Sequence, residues 1–330
     1  MRIREQTMTG KIAVEEHFAI PSFAEYASSA AAGVDQTFMR EKLLDFSRMR
    51  LPEMDRHGIE LAILSLTAQG VQAEPDTGRA VRRAREANDI LANDILAKHP
   101  EHLAGFATIA LQDPDAAARE LERAVKDLGF KGATVNGYSN VGDANTGEYY
   151  DLPKFLGFWE HVQALDVPVY LHPRDPLPTQ QVIYQGHPGL MGPAWAWGVE
   201  TATHALRLML SGLFDRFPKL QIVLGHLGET LPFAISRAES RLSASGNKSS
   251  LNKPLTQYFR ENFYITTSGN FRSQALTDCL LEIGADRILF AVDYPYEPMD
   301  RACEWFDNCP ISETDRAKIG RLNAERLFRL

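Results

Sequence analysis

Eight short apolar runs, rich in β-branched residues, recur along the chain at residues 11–18, 60–67, 103–110, 131–136, 168–172, 220–226, 263–268 and 287–293. Several are almost continuously hydrophobic. That is the pattern of strands buried on both faces of a parallel sheet, not of strands with one wet face. Helical patterning fills the gaps, at 77–99, 113–128, 152–165, 198–214, 230–243, 273–283 and 312–328. Asp113-Pro114 reads as a cap with proline at the first helical position, and Gly129 closes that helix. Regular alternation of strand and helix predicts helical crossovers over a parallel sheet. Eight such units fit an α/β fold of the (β/α)8 TIM-barrel type better than an open sheet. Two connections are long, 22–40 after the first strand and 173–197 after the fifth, and such loops usually serve as lids or binding loops.

Length and composition refine this picture only slightly. At ~150 residues per domain, 330 residues suggest two domains, but a barrel uses that length as one, so residues 1–330 read as a single barrel domain. Residues 1–7 read as a loose N-terminal extension, without the apolar core of a targeting signal. Apolar residues at 44% rule out disorder, and no apolar run reaches the ~18 residues of a membrane span. The net charge of −8 gives neither a nucleic-acid nor a polybasic membrane footprint. Cys279, Cys303 and Cys309 lack metal or disulfide spacing, so they read as free thiols in a reducing, cytoplasmic setting.

Barrel active sites lie at the C-terminal ends of the strands. Here those ends carry Glu15, Glu16 and His17, then Asn136, His172, His226 and Asp293. Alternation puts Glu15 and His17 on one face of the first strand and Glu16 on the other. A mixed carboxylate and imidazole set with an open position suits Zn2+ or Mn2+. No single pair is specific, but suitable groups at the same end of five strands form a joint signal.

With these residues in place, the sequence resembles the amidohydrolase superfamily, in its branch of nonoxidative aromatic acid decarboxylases. The likeness rests on GKIAVEEHFAIP, TVNGYS, LHPRDPLP, HALRLMLSGLFDRFPKLQIVLGHLGE, ITTSGNFR, EIGADRILFAVDYPYE and KIGRLNAERLFRL, and covers nearly everything after Met8. It implies one divalent ion, Zn2+ or Mn2+, on Glu15, His17, His172 and Asp293. The fourth strand offers Asn136 where two-metal hydrolases carry a bridging lysine. The resemblance also implies His226 and Glu229 as a catalytic pair, Asp293 as proton donor, and Asn136, Arg237 and Phe23 as substrate contacts. It implies reversible decarboxylation of a hydroxybenzoate and assembly as a homodimer or homotetramer. Relatives that act on 2,3-dihydroxybenzoate typically lack the histidine of E-x-H, so His17 favours the 2,6-dihydroxy pattern. Tyr296 stands where the family has phenylalanine.

Competing expectations remain at this point. They are salicylate or 2,3-dihydroxybenzoate as substrate, metal-dependent hydrolysis of a lactone, and a non-catalytic metal or aromatic-acid binder. Glu16 reads as structural, as do His161 and His204 on helices. His57, His99 and His102 read as ordinary turn or helix-end residues. His187 stays open, Trp195 and Trp197 lean towards a subunit contact, and Arg174 either binds substrate or stabilises its loop.

Overall fold

The computed structural model describes residues 10–26, 36–245 and 251–330, so the expectation for residues 1–7 lies outside the described residues. Its strands are β1 Lys11–Phe18, β2 Ile59–Leu66, β3 Leu103–Gly105, β4 Ala107–Thr108, β5 Ala133–Asn136, β6 Ser139–Val141, β7 Asp143–Glu148, β8 Val169–His172, β9 Ile222–Leu224, β10 Phe263–Thr266 and β11 Ile288–Leu289. Parallel pairing runs β1-β2-β3 and β4-β5-β8-β9-β10-β11. The two arcs meet on one continuous segment, because β3 and β4 are separated only by Phe106, whose N–H donates to Leu64 O at 2.9 Å. The other seam closes where Val14 N donates to Phe290 O, Asp293 N to Glu15 O and His17 N to Tyr294 O, at 3.2, 3.0 and 2.7 Å. Eight parallel units therefore form the expected barrel, and all eight apolar runs contribute to it.

The interior is filled by Ile12, Val14, Ile63, Phe106, Tyr170, Val223, Tyr264, Leu289 and Ala291, with Ala324 and Phe328 of the last helix packed beneath. The alternate side chains, such as Ala13, Leu64, Leu171 and Ile265, face the surrounding helices in a second apolar layer. One strand breaks the alternation. In β1, Ala13 pairs with Ala62 and Glu16 with Leu64, so three residues advance along β1 against two along β2. The extra residue is a bulge. It places Val14 and Glu15 both inward and hands the interior from even to odd positions.

The helices follow their expected caps. Asp113 accepts from Asp115 N and Ala116 N at 3.1 and 3.0 Å, and Pro114 opens the helix Pro114–Lys126. Among the elements that escaped the pattern are the hairpin β6–β7, whose second strand is exposed, and the helices Arg50–Arg56, Leu255–Asn262 and Met299–Asn308. The loop after β1 is shorter than expected, because a helix occupies Gln36–Leu44. The loop after β8 is shaped by 3-10 turns at Pro178–Tyr184, Pro188–Leu190 and Gly192–Ala194. Among the described residues no helix is long and apolar enough to cross a membrane. The three cysteines are free and buried.

His204, on the helix Ala196–Leu210, is fully buried between Tyr149 and Tyr150, and its Nε2 accepts from Tyr150 N at 3.2 Å. Burial pushes its pKa down to about 3. The unfolded chain protonates this histidine below its ordinary value near 6.5, while the folded chain keeps it neutral. Its contribution is therefore complete above ~6.5 and is lost as pH falls towards 3, by at most ~1.4 kcal/mol per pH unit. A His204→Gln variant is expected to lose less melting temperature than the parent between about pH 6.5 and about pH 4.5. Thermal melts at both pH values check this, and parallel declines would contradict it.

Candidate metal centre and active site

The strand ends deliver their polar groups to one point at the barrel mouth. Glu15, His17 and His172 are buried, and one ligand atom from each lies within 4.8 Å of the others. His172 Nδ1 is 2.9 Å from Pro173 O, which can only accept, so Nδ1 carries the proton and Nε2 keeps a free lone pair. That lone pair lies 3.6 Å from Glu15 Oε1. His17 Nδ1 is 3.2 Å from Ser65 Oγ, which leaves its Nε2 facing Asp293 Oδ1 at 3.1 Å. Neither His17 Nε2 nor Glu15 Oε1 has a hydrogen-bond partner, although both are buried.

Buried lone pairs converging without donors are unfavourable unless a cation sits among them. Two imidazoles and the Glu15 carboxylate converging in this way, with Asp293 Oδ1 3.1 Å from His17 Nε2, fit a divalent ion with nitrogen and oxygen preference. Burial raises the Glu15 carboxyl above its ordinary range and drives the His172 imidazole well below its own. A cation opposite Glu15 restores the ionised form, and neutral His172 is already the ligand form.

The pair His226 and Glu229 sits on an unusual backbone. After Gly225 the chain runs left-handed through His226, Leu227, Gly228, Glu229 and Thr230, with φ from 52° to 79°. Four of these residues are not glycine, so the turn is strained and held by its surroundings. It brings His226 Nδ1 to 2.6 Å from Glu229 Oε1, and Nε2 to 3.5 Å from Asp293 Oδ2. Burial alone would depress His226, but the charges of Glu229 and Glu15 outweigh it and hold the imidazole well above its usual value. A proton stored on His226 therefore borders directly on the Asp293 carboxylate.

Asp293 is itself left-handed, with φ of 78°. Glu16, on the opposite side of β1 from Glu15, grips the peptides on either side of it, accepting from Val292 N at 2.9 Å and Tyr294 N at 3.2 Å. Burial pushes Glu16 up to about 8. The buried Arg50 donates to His17 O and lies over the Tyr294 ring at 4.6 Å. Glu16 is thus structural, as expected, and its task is to fix Asp293.

The remaining expectations divide. Asn136 is buried at the end of β5, its N–H bonded to Gln72 and its Oδ1 without a partner. Phe23 is buried in the 3-10 turn Pro21–Tyr26, under the Arg83 guanidinium. Arg237 does not join the cluster. The helix Leu231–Ala244 buries Leu231, Pro232 and Ile235, and Arg237 lies two positions beyond Ile235 on the exposed side. Arg174 resolves as a loop stabiliser, donating to Gln72 O, Tyr138 O, Gln69 Oε1 and Asn140 Oδ1. Trp197 donates to Asp175 Oδ1 at 2.7 Å and meets the His172 ring edge-on, whereas Trp195 and His187 are exposed. Tyr296 bonds Thr67 and packs against the His17 ring at 5.6 Å. Sequence reasoning missed the hydroxyls of Ser65, Tyr170, Thr266 and Ser268. For Tyr170, Thr266 and Ser268 the only signal is a two-residue spacing from His172 or from each other, and Ser65 has none.

Comparison with known proteins agrees with this geometry. The amidohydrolase family model matches residues 34–330. A gamma-resorcylate decarboxylase of Rhizobium sp. (strain MTP-10005) is 53% identical over 325 residues, covering 98% of this chain and 99% of the relative. A crystal structure of 2,6-dihydroxybenzoate decarboxylase complexed with 2,6-dihydroxybenzoate is 53% identical, with a TM-score of 0.93 over 98% of this chain and 100% of that one. A dihydroxybenzoic acid decarboxylase from Polaromonas sp. JS666, solved with manganese and 2-nitroresorcinol, is also 53% identical, with a TM-score of 0.93 over 98% of each chain.

The convergent lone pairs make a direct prediction about metal content. Glu15→Gln and His172→Ala are each expected to lose most bound divalent metal after dialysis, as read by elemental analysis. Glu229→Gln is expected to retain it, because Glu229 contacts His226 and not the cluster.

Proposed function

The chain belongs to the amidohydrolase family, and from that membership we propose that it is a cofactor-free, metal-dependent decarboxylase converting 2,6-dihydroxybenzoate to resorcinol and CO2. The observation that carries this reading is the juxtaposition of a buried, donor-free ligand cluster with a His226–Asp293 proton path 3.5 Å long. The kinship with gamma-resorcylate decarboxylase supports the substrate.

Glu15, His17, His172 and Asp293 would hold one Zn2+ or Mn2+. When bound, that ion supplies the positive charge that orients the substrate carboxylate and its ortho oxygen and stabilises charge developing on them. Decarboxylation without an electron sink requires protonation of the ring carbon that bears the carboxylate. The ortho oxygen makes that carbon electron-rich. His226 holds the proton between Glu229 and Asp293, and Asp293 delivers it to the ring carbon. The carbon–carboxylate bond then breaks, CO2 leaves, and its electron pair restores the aromatic ring. Asn136 Oδ1 is free to accept from a ring hydroxyl. Phe23 supplies apolar surface. The steps run in both directions, so carboxylation of resorcinol in concentrated bicarbonate belongs to the same proposal.

The whole chain acts as one barrel domain in this reading, in the cytoplasm, where the buried free thiols stay reduced. Exposed Val182, Ile183, Trp195 and Phe233 support assembly into a homodimer or homotetramer. Arg237 then serves substrate binding only where a second copy presents it.

A panel of salicylate, 2,3- and 2,6-dihydroxybenzoate, followed by loss of substrate absorbance and by CO2 release, tests the activity. The 2,6-isomer is expected to turn over fastest and a strong chelator to abolish turnover. Ring-opening of a lactone in place of CO2 release would overturn the proposal. Asp293→Asn and His226→Asn are expected to lower kcat by roughly 10²- to 10⁴-fold, the usual contribution of a positioned proton donor.

A further inference from the structure

The two oxygens of Glu15 live in different surroundings. Oε1 has no partner and faces the histidines, while Oε2 accepts from Tyr170 and from Thr266 Oγ1, the latter at 2.9 Å. Thr266 has one proton, and Oε2 takes it. With that proton on Oε2, Thr266 Oγ1 is left to accept from Ser268 Oγ at 2.9 Å, and the Ser268 hydroxyl also lies beside the Glu15 carboxylate. Ser268 Oγ in turn accepts the His226 backbone N–H at 3.0 Å. The hydrogen bonds consequently form one connected frame. They run from His226 N–H to Ser268, from Ser268 to Thr266, and from Thr266 to Glu15, with Tyr170 joining at the same oxygen.

Tyr170, Thr266 and Ser268 are all essentially buried, on the inward faces of β8 and β10 and the residues that follow β10. No water competes for these bonds. Gly225 completes the enclosure, since a Cβ there would stand 3.0 Å from both Glu15 oxygens. A side chain there would therefore crowd the carboxylate and the Ser268 hydroxyl, 3.3 Å away, together.

We infer that Tyr170, Thr266 and Ser268 are positioning residues: a hydroxyl frame that saturates Glu15 Oε2, aims Oε1 at the cation, and ties the metal ligand to the backbone of His226. The inference rests on the metal-site reading above. The carboxylate is otherwise free to turn about its terminal torsion, which is broad. With Oε2 bonded twice, one lone pair is presented in one direction. Groups that orient ligands in this way typically account for 10- to 100-fold in metal affinity. The frame also gives metal binding and the strained His226 turn a shared member in Ser268.

The test measures Mn2+ affinity, not turnover. The full-length, Mn2+-loaded protein is titrated with a chromophoric chelator, and metal loss is followed by absorbance. Tyr170→Phe and Thr266→Val are each expected to weaken Mn2+ binding by roughly 10- to 100-fold. Thr266→Ser keeps the hydroxyl and is expected to stay within about threefold of the parent. Tyr264→Phe removes a hydroxyl two residues before Thr266 on the same inward face, outside the frame, and is expected to leave affinity unchanged. Should Tyr170→Phe fail to fold, the Thr266 pair decides. Parental affinity in Thr266→Val, or an equal loss in Thr266→Ser and Tyr264→Phe, overturns the frame. Tight Mn2+ binding that depends on the frame, in a protein inert towards every hydroxybenzoate, would overturn the proposed function and leave this inference standing.

Discussion

The bulge in β1 is the constraint on which the active site depends. Below it, Ala13 packs towards the helices and Ile12 and Val14 fill the interior. Regular pleating beyond Val14 would send Glu15 and His17 outward with Ala13 and leave Glu16 alone in the mouth. One inserted residue exchanges the faces. Glu15 and His17 then meet His172, and Glu16 is left on the outside, where it grips the chain around Asp293. The two carboxylates of the Glu15-Glu16 pair thus lie on opposite sides of one strand, one in the buried cluster and one supporting the chain around Asp293.

The site is costly to build. Asp293 and four non-glycine residues of the His226–Thr230 turn lie in left-handed backbone, a conformation worth roughly 1–3 kcal/mol of strain per residue. Buried carboxylates and lone pairs add desolvation. Specific hydrogen bonds offset these terms where they arise: Ser268 takes the His226 N–H, Glu16 takes the N–H groups flanking Asp293, and Arg50 caps His17 O. The dense apolar layers around the barrel supply the remaining stability, and so the mouth can afford groups that disfavour folding.

Most of the barrel was legible in the sequence because strands buried on both faces leave continuous apolar runs. The hairpin β6–β7 was not, since its second strand is exposed and polar from Asp143 onwards. The co-facing of Glu15 and His17 followed from a two-residue period, but the face itself came from a bulge that no local residue announces. His172, His226 and Asp293 were visible as ionisable groups closing apolar runs. Tyr170 and Thr266 were not, because a single hydroxyl inside a β-rich segment looks like any other strand residue. Arg237 shows the reverse case. The family resemblance suggested a site residue, and the helix turns it to the exposed side of this chain.

The plugged floor of the barrel has its own consequence. Phe106, Tyr170 and the interior aliphatic side chains close the lumen, and Phe328 seals it from below. Among the described residues the floor is closed, and the site opens at the mouth. Substrate enters, and both CO2 and the phenol depart, past the same rim formed by Tyr296, Trp197 and the loop after β8. The closed floor thus makes the rim, and not the barrel interior, the place where a change of side chain alters what reaches the cluster.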